Sequence, residues 1–577
     1  MALGALSIAS ALFILLVNPY DFIFKLKVIF TPGGETYELW RKPPVDLYLR
    51  VWLFNVTNRE AFMAGEEKLR VQEAGPYVYR ELLEHTNVTF NNNGTMTTIP
   101  RHPLVWVPEM SNGTEEDILV LPNIALLSYS RSSGRIKDSS LGGGWGLNLL
   151  AQQTNEQPLV AMTAKEFMFG YESPLVKLGN KFLPSWINFD KLGLIDRMYN
   201  FEGDVATFFT GEKEVKQAGL IEKYRGFDYL PHWEGKHCQK LTGASDATKF
   251  PSLIDKNDTL YFYRKSVCRT MAAIFTGEVK NVQGLDAYRY KFPPNALDNG
   301  EIDPENKCFC RKGACLPKGL IDVHECYYGF PIAVSYPHFY EADQSLVDAV
   351  EGSNPDKERH ESYFYIEPKS GLPLDVSFRF QINMYLGDIS GVTRAARFKN
   401  MALPMLWTEI MMKNLPDDLN NRFILYLNIL PVVEKVIMYA FFVAGVFFLL
   451  GSMSRVLFLN WDMQKKSADM DFSRGNTQEL KRIHLDKIKN CESKPVTEKS
   501  KEVEAYYSSL LTTHIEEAVE EGSERERTLK SDVESNNTNT SLYEGLDNIS
   551  CGSNDSAETF PPQYDLVTFL SLKEDIV

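Results

Sequence analysis

Six cysteines fall within one stretch of the chain, and their spacing is the clearest sign of chemistry in the sequence. An even-numbered cluster is typical of disulfide bonds formed in a secretory compartment. The alternative is a zinc site completed by His237 or His324, but zinc sites usually contain paired C-x-x-C knuckles, and this sequence has none. We therefore expect disulfide bonds and no metal, although six cysteines allow fifteen pairings that spacing alone does not distinguish. The six residues are Cys238, Cys268, Cys308, Cys310, Cys315 and Cys326.

Catalytic signatures are missing from the sequence. It contains no G-x-S-x-G, no H-E-x-x-H and no Walker loop. The glycine run from Gly142 to Gly146 resembles a nucleotide-binding loop, but Leu147 occupies the last glycine position of G-x-G-x-x-G, so we interpret it as a surface loop. His232 and His237 belong to a polar loop next to Cys238 rather than to a metal pair. The sequence therefore predicts a protein that is not an enzyme, with no catalytic residues and no cofactor.

Two apolar runs divide the chain into segments. The run from Val436 to Ser454 has 19 uncharged residues, and as a helix it reaches about 28 Å, close to the apolar thickness of a bilayer. The first run covers residues 1–17. We interpret it as a retained anchor rather than a signal peptide, because no basic residue precedes it and the residues from Asn18 to Asp21 are a poor cleavage site. We expect membrane anchors at residues 1–24 and 436–459.

The long segment between the anchors, residues 25–435, carries five N-x-S/T sequons. One sequon alone is a weak signal, but four within about 60 residues, in a segment that also holds the cysteine cluster, indicate an extracellular or luminal face. Basic residues follow the second apolar run and mark its cytosolic side. We therefore expect a multi-pass protein with both termini in the cytosol. The predicted glycosylation sites are Asn55, Asn87, Asn93, Asn112 and Asn257.

Strand patterns dominate the segment between the anchors, with Gly and Pro pairs between them. Fewer stretches have a helical pattern, and the mixture predicts one large α+β domain with an antiparallel core. The predicted strands are Trp52–Asn58, Tyr77–Leu83, Thr259–Lys265, Tyr363–Pro368 and Leu374–Leu386. The predicted helices are Asn58–Arg70, Leu147–Phe169 and Val215–Lys223.

The tail, residues 460–577, begins with basic residues and then becomes acidic and rich in Ser, Thr and Asn, which predicts disorder. Tyr507, Tyr543 and Tyr564 begin Y-x-x-Φ patterns of endocytic adaptors. The tail also holds a P-P-x-Y ligand for WW domains at 561–564 and a terminus that fits a PDZ groove. The net charge of −15 argues against nucleic acid as a partner.

Several segments resemble the class B scavenger receptor family, which includes the lysosomal integral membrane and sensory neuron membrane proteins. These segments are Leu39–Asn58, Glu73–Glu81, Lys165–Lys177, Cys308–Cys310 and Tyr336–Phe339. The similarity runs in order from about Leu3 to Arg455 and includes both apolar runs and the cysteine cluster. The tail is not covered.

The resemblance implies an α+β membrane protein with two transmembrane helices. Its ectodomain would be a large antiparallel β-barrel-like core with short helices, topped by an apical helical bundle at about Trp145–Phe169 and Val205–Lys223, and crossed by a hydrophobic tunnel. It also implies the disulfide pairs Cys238–Cys308, Cys268–Cys326 and Cys310–Cys315. The apex residues expected to contact ligand are Leu149, Leu150, Lys165, Phe167 and Phe169.

The function implied by the resemblance is that of a cell-surface scavenger-type receptor. It would bind hydrophobic ligands, such as fatty acids, sterols, carotenoids or the lipid of lipoprotein particles, and pass them through the tunnel to the membrane. The apical stretch Leu147–Ala164 has no Lys or Arg, so steering of anionic particles would be weak and neutral or weakly charged lipids are favoured. The alternative is an endolysosomal sorting receptor for a protein partner. We expect the plasma membrane as location, with endosomes or lysosomes as the alternative.

Overall fold

The computed structural model describes residues 1–128, 153–177, 191–311, 313–327, 329–389 and 393–489, with backbone alone for 471–489. The chain divides into two compact units, Met1–Leu459 and Asn460–Val577, and each is considered by itself. All strands of the described residues lie in the first unit. The combination of a large, mostly antiparallel sheet with short helices confirms the predicted α+β class.

Most helices are short, and the two longest apolar ones lie near the ends of the described chain. Short 3₁₀ turns and a π-helical turn at Leu425–Ile429 occur between them. Residues 124–128 and 174–177 are also helical, next to residues that are not described. The α-helices with both ends described are α1 Ala2–Val17, α2 Pro19–Val28, α3 Glu35–Arg41, α4 Arg59–Ala64, α5 Ala164–Phe169, α6 Leu194–Tyr199, α7 Gln344–Asp348, α8 Lys357–His360, α9 Asp417–Ile424 and α10 Leu430–Lys489.

The strands form one large sheet and two small ones. The large sheet has the order β10-β11-β12-β13-β17-β18-β19-β1-β2-β16, with β5, β14 and β15 attached at its sides; β3-β4-β8-β9 and β6-β7 form the others. The strands are β1 Leu47–Val56, β2 Leu69–Glu81, β3 Glu84–Asn91, β4 Thr95–Arg101, β5 Leu104–Trp106, β6 Ile118–Pro122, β7 Leu159–Thr163, β8 Ala206–Phe209, β9 Ile221–Tyr224, β10 Ala244–Ser245, β11 Leu260–Arg264, β12 Arg269–Val282, β13 Leu285–Lys291, β14 Ile321–Asp322, β15 Ile332–Ser335, β16 Val350–Glu351, β17 Tyr363–Ile366, β18 Pro373–Leu386 and β19 Met401–Met412.

The centre of the large sheet is formed by β1, β19 and β18. Trp52 of β1 lies opposite Trp407 of β19, and their rings stack with centroids 3.7 Å apart. Almost every residue of β19 is buried, which means that this strand is covered on both faces. Its one acidic residue, Glu409, is accommodated because Arg379 and Ser377 of β18 donate hydrogen bonds to its Oε1 at 2.9 and 2.6 Å.

Three predicted helices differ from the structure. The stretch from Asn58 to Arg70 is helical only as α4, because Gly65 ends the helix in the left-handed region and β2 begins at Leu69. The Val215–Lys223 prediction is wrong: a 3₁₀ turn precedes β9, which pairs with β8. The second predicted bundle segment, Val205–Lys223, therefore contains β8 and the start of β9 with a 3₁₀ turn between them, and no α-helix. Within the first predicted segment, Trp145–Phe169, residues 145–152 lie outside the described residues, 159–163 form β7, and Ala164–Phe169 form the helix α5.

Two helical segments are long and apolar enough to cross a membrane, as predicted. They are Ala2–Val28, which contains α1 and α2, and Asp417–Met470, which contains α9, the π-helical turn and most of α10. The two segments contact each other at two places along their length. Ser7 Oγ of α1 donates to the Phe441 carbonyl at 2.7 Å, and the Tyr20 amide of α2 donates to the Glu434 side chain at 2.8 Å. Helix α10 continues past the expected boundary at 459 to Lys489, and Lys466 pairs with Asp462 one turn earlier.

Candidate functional site

Three cavities lie one after another in the first unit and share lining residues. The inner cavity has about 670 Å³, the middle cavity about 1040 Å³ and the membrane-side cavity about 720 Å³. Asp246, Thr248 and Arg264 line both the inner and the middle cavity. The middle and membrane-side cavities share their own three residues, Leu39, Leu372 and Phe423.

The middle cavity is the largest and has a mainly apolar wall. Aromatic rings from three strands meet there, with Phe262 5.4 Å from Phe364 and 5.9 Å from Phe378 between centroids. Apolar side chains that contribute to this wall include Trp40, Phe262, Phe364, Phe378, Ile410 and Met412.

The membrane-side cavity is built by the ends of both membrane-crossing segments. Tyr20, Phe24 and Val28 of α2 line one side of it, and Tyr426 and Leu427 of the π-helical turn line the other. The Tyr20 hydroxyl donates to the Tyr426 carbonyl at 2.9 Å and joins the two sides. A π-helical turn widens the local backbone and is frequent at functional sites. The cavity therefore lies where the large folded segment meets the two helical segments that are long and apolar enough to cross a membrane.

The inner cavity contains paired ionisable groups. His85 Nε2 is 3.0 Å from Asp246 Oδ2, and the His85 ring stacks on Trp40 at 3.6 Å. Burial alone would raise the pKa of the Asp246 carboxyl, but the hydrogen bond from His85 outweighs it and lowers this pKa. Asp246 is therefore ionised at neutral pH and already has partners on the protein.

A second pair, His102 and Glu81, lies at the same cavities. His102 Nδ1 hydrogen-bonds Glu81 Oε1, and the Tyr199 hydroxyl donates to Glu81 Oε2 at 3.0 Å. Burial lowers the pKa of His102. Burial would raise the pKa of Glu81, but the bond from His102 reverses this and lowers it. A neutral imidazole thus donates to an ionised carboxylate.

The six cysteines between Cys238 and Cys326 form three disulfide bonds, and the predicted presence of disulfide bonds is confirmed. The pairs are Cys238–Cys308, Cys268–Cys326 and Cys310–Cys315, the same pairs that the family resemblance implies. The side chains of His232, Cys268 and Cys326 lie close together. Both sulfurs of this group are bonded to each other, so they are not thiolate ligands for a metal.

The predicted apex residues are only partly described. Leu149 and Leu150 lie outside the described residues. Lys165 is exposed and pairs with Glu115, with 2.8 Å between Nζ and Oε2. Phe167 is fully buried, and Phe169 packs against Tyr79 with centroids 5.0 Å apart. The two phenylalanines therefore fix α5 to the core, and Lys165 is exposed to solvent.

The predicted glycosylation sites differ in exposure. Asn87, Asn93, Asn112 and Asn257 are exposed. Asn55 is partly buried within β1, and its Oδ1 accepts a hydrogen bond from the Val120 amide at 2.9 Å. Glycosylation at all five asparagines remains a prediction.

Sequence reasoning missed the polar residues shared by the cavities. Asp246 and Arg264 belong to no motif, and His85 comes from a distant strand, β3. The signal that could have found Arg264 is its place in TLYFYRK, where a cation ends an aromatic strand. That pattern is also common at strand ends without any ligand, so the fold was needed to bring these residues together.

Comparison with known proteins supports the resemblance seen in the segments. The model of the CD36 family matches residues 2–456. Scavenger receptor class B member 1 from Sus scrofa is 32% identical over 377 residues, which cover 65% of this chain and 72% of the relative. Lysosome membrane protein 2 from Homo sapiens is 31% identical over 389 residues, covering 66% and 78%. Protein peste from Drosophila melanogaster is 28% identical over 416 residues, covering 70% and 73%. The chain is therefore a membrane-anchored member of the CD36 family.

Proposed function

We propose that this protein is a receptor that binds hydrophobic lipids and transfers them to the membrane through its three cavities. The single observation that carries the proposal is that each neighbouring pair of cavities shares three lining residues, and that the last cavity is built by the membrane segments. These shared residues support a path that would lead from the inner cavity, between the β3-β4-β8-β9 sheet and β11, to the bilayer.

The physical benefit of such a path comes from the cost of moving lipid through water. An alkyl chain gains about 0.8 kcal/mol for each CH₂ group that is buried, so a sixteen-carbon chain gains about 12 kcal/mol. A mainly apolar route removes most of this barrier without any covalent chemistry. The aromatic wall of Phe262, Phe364 and Phe378 provides such an environment.

Phe423 is the residue best placed to test the path, because it lines both the middle and the membrane-side cavity. We expect Phe423→Trp to slow lipid transfer several-fold by narrowing the connection and Phe423→Ala to preserve or raise the rate. The assay uses the full chain in vesicles and follows uptake of a fluorescent sixteen-carbon lipid from donor particles. The matched control is Tyr439→Trp, an aromatic change at an exposed position of α10. Equal rates for both tryptophan variants and the wild type would contradict the proposal.

Lipid content provides a second test of the same function. We expect mass spectrometry of the purified full-length protein to recover lipids that exchange with added lipid. The control is a membrane protein of similar size purified in the same detergent. If this protein yielded no more lipid than the control, the proposed lipid path would be contradicted.

The plasma membrane is the location that we propose, with the segment between the anchors facing outward. Surface biotinylation of cells expressing the full chain is expected to label this segment. A signal restricted to lysosomes would contradict the surface location. The adaptor, WW and PDZ motifs of the tail lie outside the described residues and remain predictions.

A further inference from the structure

Arg264 occupies the junction between the inner and middle cavities and lines both. It is the last residue of β11, and its carbonyl accepts a hydrogen bond from the Cys268 amide at 3.1 Å. Cys268 is in turn bonded to Cys326. The backbone that carries the guanidinium is therefore held by a strand on one side and by a disulfide-bonded turn on the other.

The Arg264 guanidinium is partly buried and makes no hydrogen bond or ion pair with any side chain or carbonyl of the described residues, whereas two buried lysines at the cavities do. Lys265 Nζ is 2.7 Å from Asp204 Oδ2. Lys249 Nζ donates to the carbonyls of Ala218 and Phe250, both at 3.1 Å, and to Ser252 Oγ at 3.0 Å. All three donors of Lys249 are therefore occupied, and Arg264 is the cation among the described residues that line both cavities.

The two acidic residues at the junction already have other partners. Glu81 accepts from His102 and Tyr199 on its two oxygens. Asp246 Oδ2 contacts His85, and its Oδ1 accepts from the Thr248 amide at 2.9 Å. In addition, the Ser266 hydroxyl lines the inner cavity and is buried without a hydrogen-bond partner among the described residues. The positive charge of Arg264 contributes to the lowered pKa of Glu81, but no hydrogen bond or ion pair joins these two side chains within the described residues. The Arg264 guanidinium and, in the inner cavity, the Ser266 hydroxyl therefore keep donors for a further acceptor.

We propose that Arg264 binds the carboxylate of a single-chain lipid whose alkyl chain lies in the middle cavity. The inference rests on the proposed lipid function and makes Arg264 the residue that selects an anionic head group over a neutral one. A guanidinium presents paired N–H donors that match both oxygens of a carboxylate. The apolar wall next to it accepts the chain, so head and chain are recognised by adjoining surfaces.

The test compares two ligands of equal chain length, palmitic acid and 1-hexadecanol. Their binding is measured with the full chain in nanodiscs, with empty nanodiscs as the blank. We expect the wild type to prefer the acid by at least about tenfold, since hydrogen bonds to an ionised carboxylate are stronger than those to a neutral hydroxyl. Arg264→Gln is expected to lose this preference while keeping its affinity for the alcohol, and Arg264→Lys is expected to keep part of it.

Arg80→Gln is the matched control, because Arg80 is also a strand arginine but pairs with Asp46 at the surface. It is expected to keep the wild-type preference. Unchanged alcohol binding by Arg264→Gln shows that this variant is folded. Equal binding of acid and alcohol by the wild type, or an unchanged preference in Arg264→Gln, would overturn the proposed carboxylate binding by Arg264. Neither result would contradict the proposed lipid path. Binding of neither ligand by the wild type would overturn the proposed function as well.

Discussion

Gly4 of α1 and Gly445 of α10 pack backbone against backbone where the two membrane-crossing segments meet. A Cβ added at Gly445 would lie 3.1 Å from the Gly4 carbonyl oxygen and 2.5 Å from Cγ1 of Ile8. The contact is therefore too close for any side chain. Small residues at such crossings allow helices to approach closely, and van der Waals packing then stabilises their association in lipid. This pair positions the anchors that build the membrane-side cavity.

Replacing Gly445 is expected to separate the two anchors. Gly445→Ala should lower the stability of the full-length protein by about 1–3 kcal/mol, the usual cost of overpacking. Thermal unfolding in detergent measures the change. Gly451→Ala is the matched control on the same helix, because a Cβ there would meet nothing within 4 Å. Equal melting temperatures for the two variants would show that the crossing is not tight.

A stacked histidine pair predicts a dependence of stability on pH. The rings of His338 and His360 are parallel, with centroids 4.7 Å apart. His360 Nδ1 accepts from the Asp356 amide, and burial, followed by the charges of His338 and Arg359, lowers the pKa of His360 to about 4. The neighbouring Glu73 carboxylate hydrogen-bonds His338 and opposes this shift only in part.

The sign of the effect follows from this lowered pKa. An unfolded histidine titrates near 6.5, so folding favours the neutral ring of His360. The resulting stabilisation is fully present in the free energy of unfolding above pH 6.5 and is lost as the pH falls toward 4. At pH 5 the loss is about 2 kcal/mol. We expect the melting temperature of His360→Asn to depend less on pH between 7.5 and 5 than that of the wild type. His237→Asn, at an exposed histidine, should keep the wild-type dependence; identical slopes for all three proteins would refute the assignment.

The disulfide bonds are expected to stabilise the chain unequally. Cys268 and Cys326 are separated by 58 positions, whereas Cys310 and Cys315 are separated by 5. Because a longer closed loop removes more entropy from the unfolded chain, the first bond is expected to stabilise the folded state by about 4 kcal/mol and the second by about 2 kcal/mol. Denaturant unfolding of the double serine variants of each pair under non-reducing conditions measures both losses. A larger loss for the short loop would contradict the entropic account.

Glycan mapping tests the orientation of the segment between the anchors. We expect glycans at the four exposed sequons, with Asn112→Gln removing one mass increment that glycosidase treatment also removes. Occupancy at Asn55 is expected to be lower in the mature protein, because this side chain is partly buried and hydrogen-bonded to Val120. A chain without any glycan would place this segment on the cytosolic side.

The strand patterns of the sequence predicted the sheet better than the helical patterns predicted helices. The stretches TLYFYRK and LDVSFRFQINMYL form β11 and β18 within a residue or two of their predicted ends. Val215–Lys223 failed because its apolar spacing fits a helix equally well, and pairing with β8 decides its conformation. Local propensity is a weak prior that such tertiary pairing overrides.

The cavities were less predictable than the sheet. The residues at the junction come from β3, from the loop after β10 and from the end of β11. Their proximity depends on strand order, which local patterns do not contain. The family resemblance implied a hydrophobic tunnel, but the unpaired guanidinium of Arg264 and the closely packed glycines become visible only when contacts are known.

The bond from the Tyr20 amide to Glu434 has a practical consequence for the design of secreted fragments. A soluble protein cut at residues 25 and 435 would lose Tyr20, Ile23 and Phe24, and with them one wall of the membrane-side cavity. Detergent or free lipid could then enter from the cut end. Ligand affinities measured on such a fragment would describe a cavity that lacks one of its walls, whereas the full chain keeps this wall.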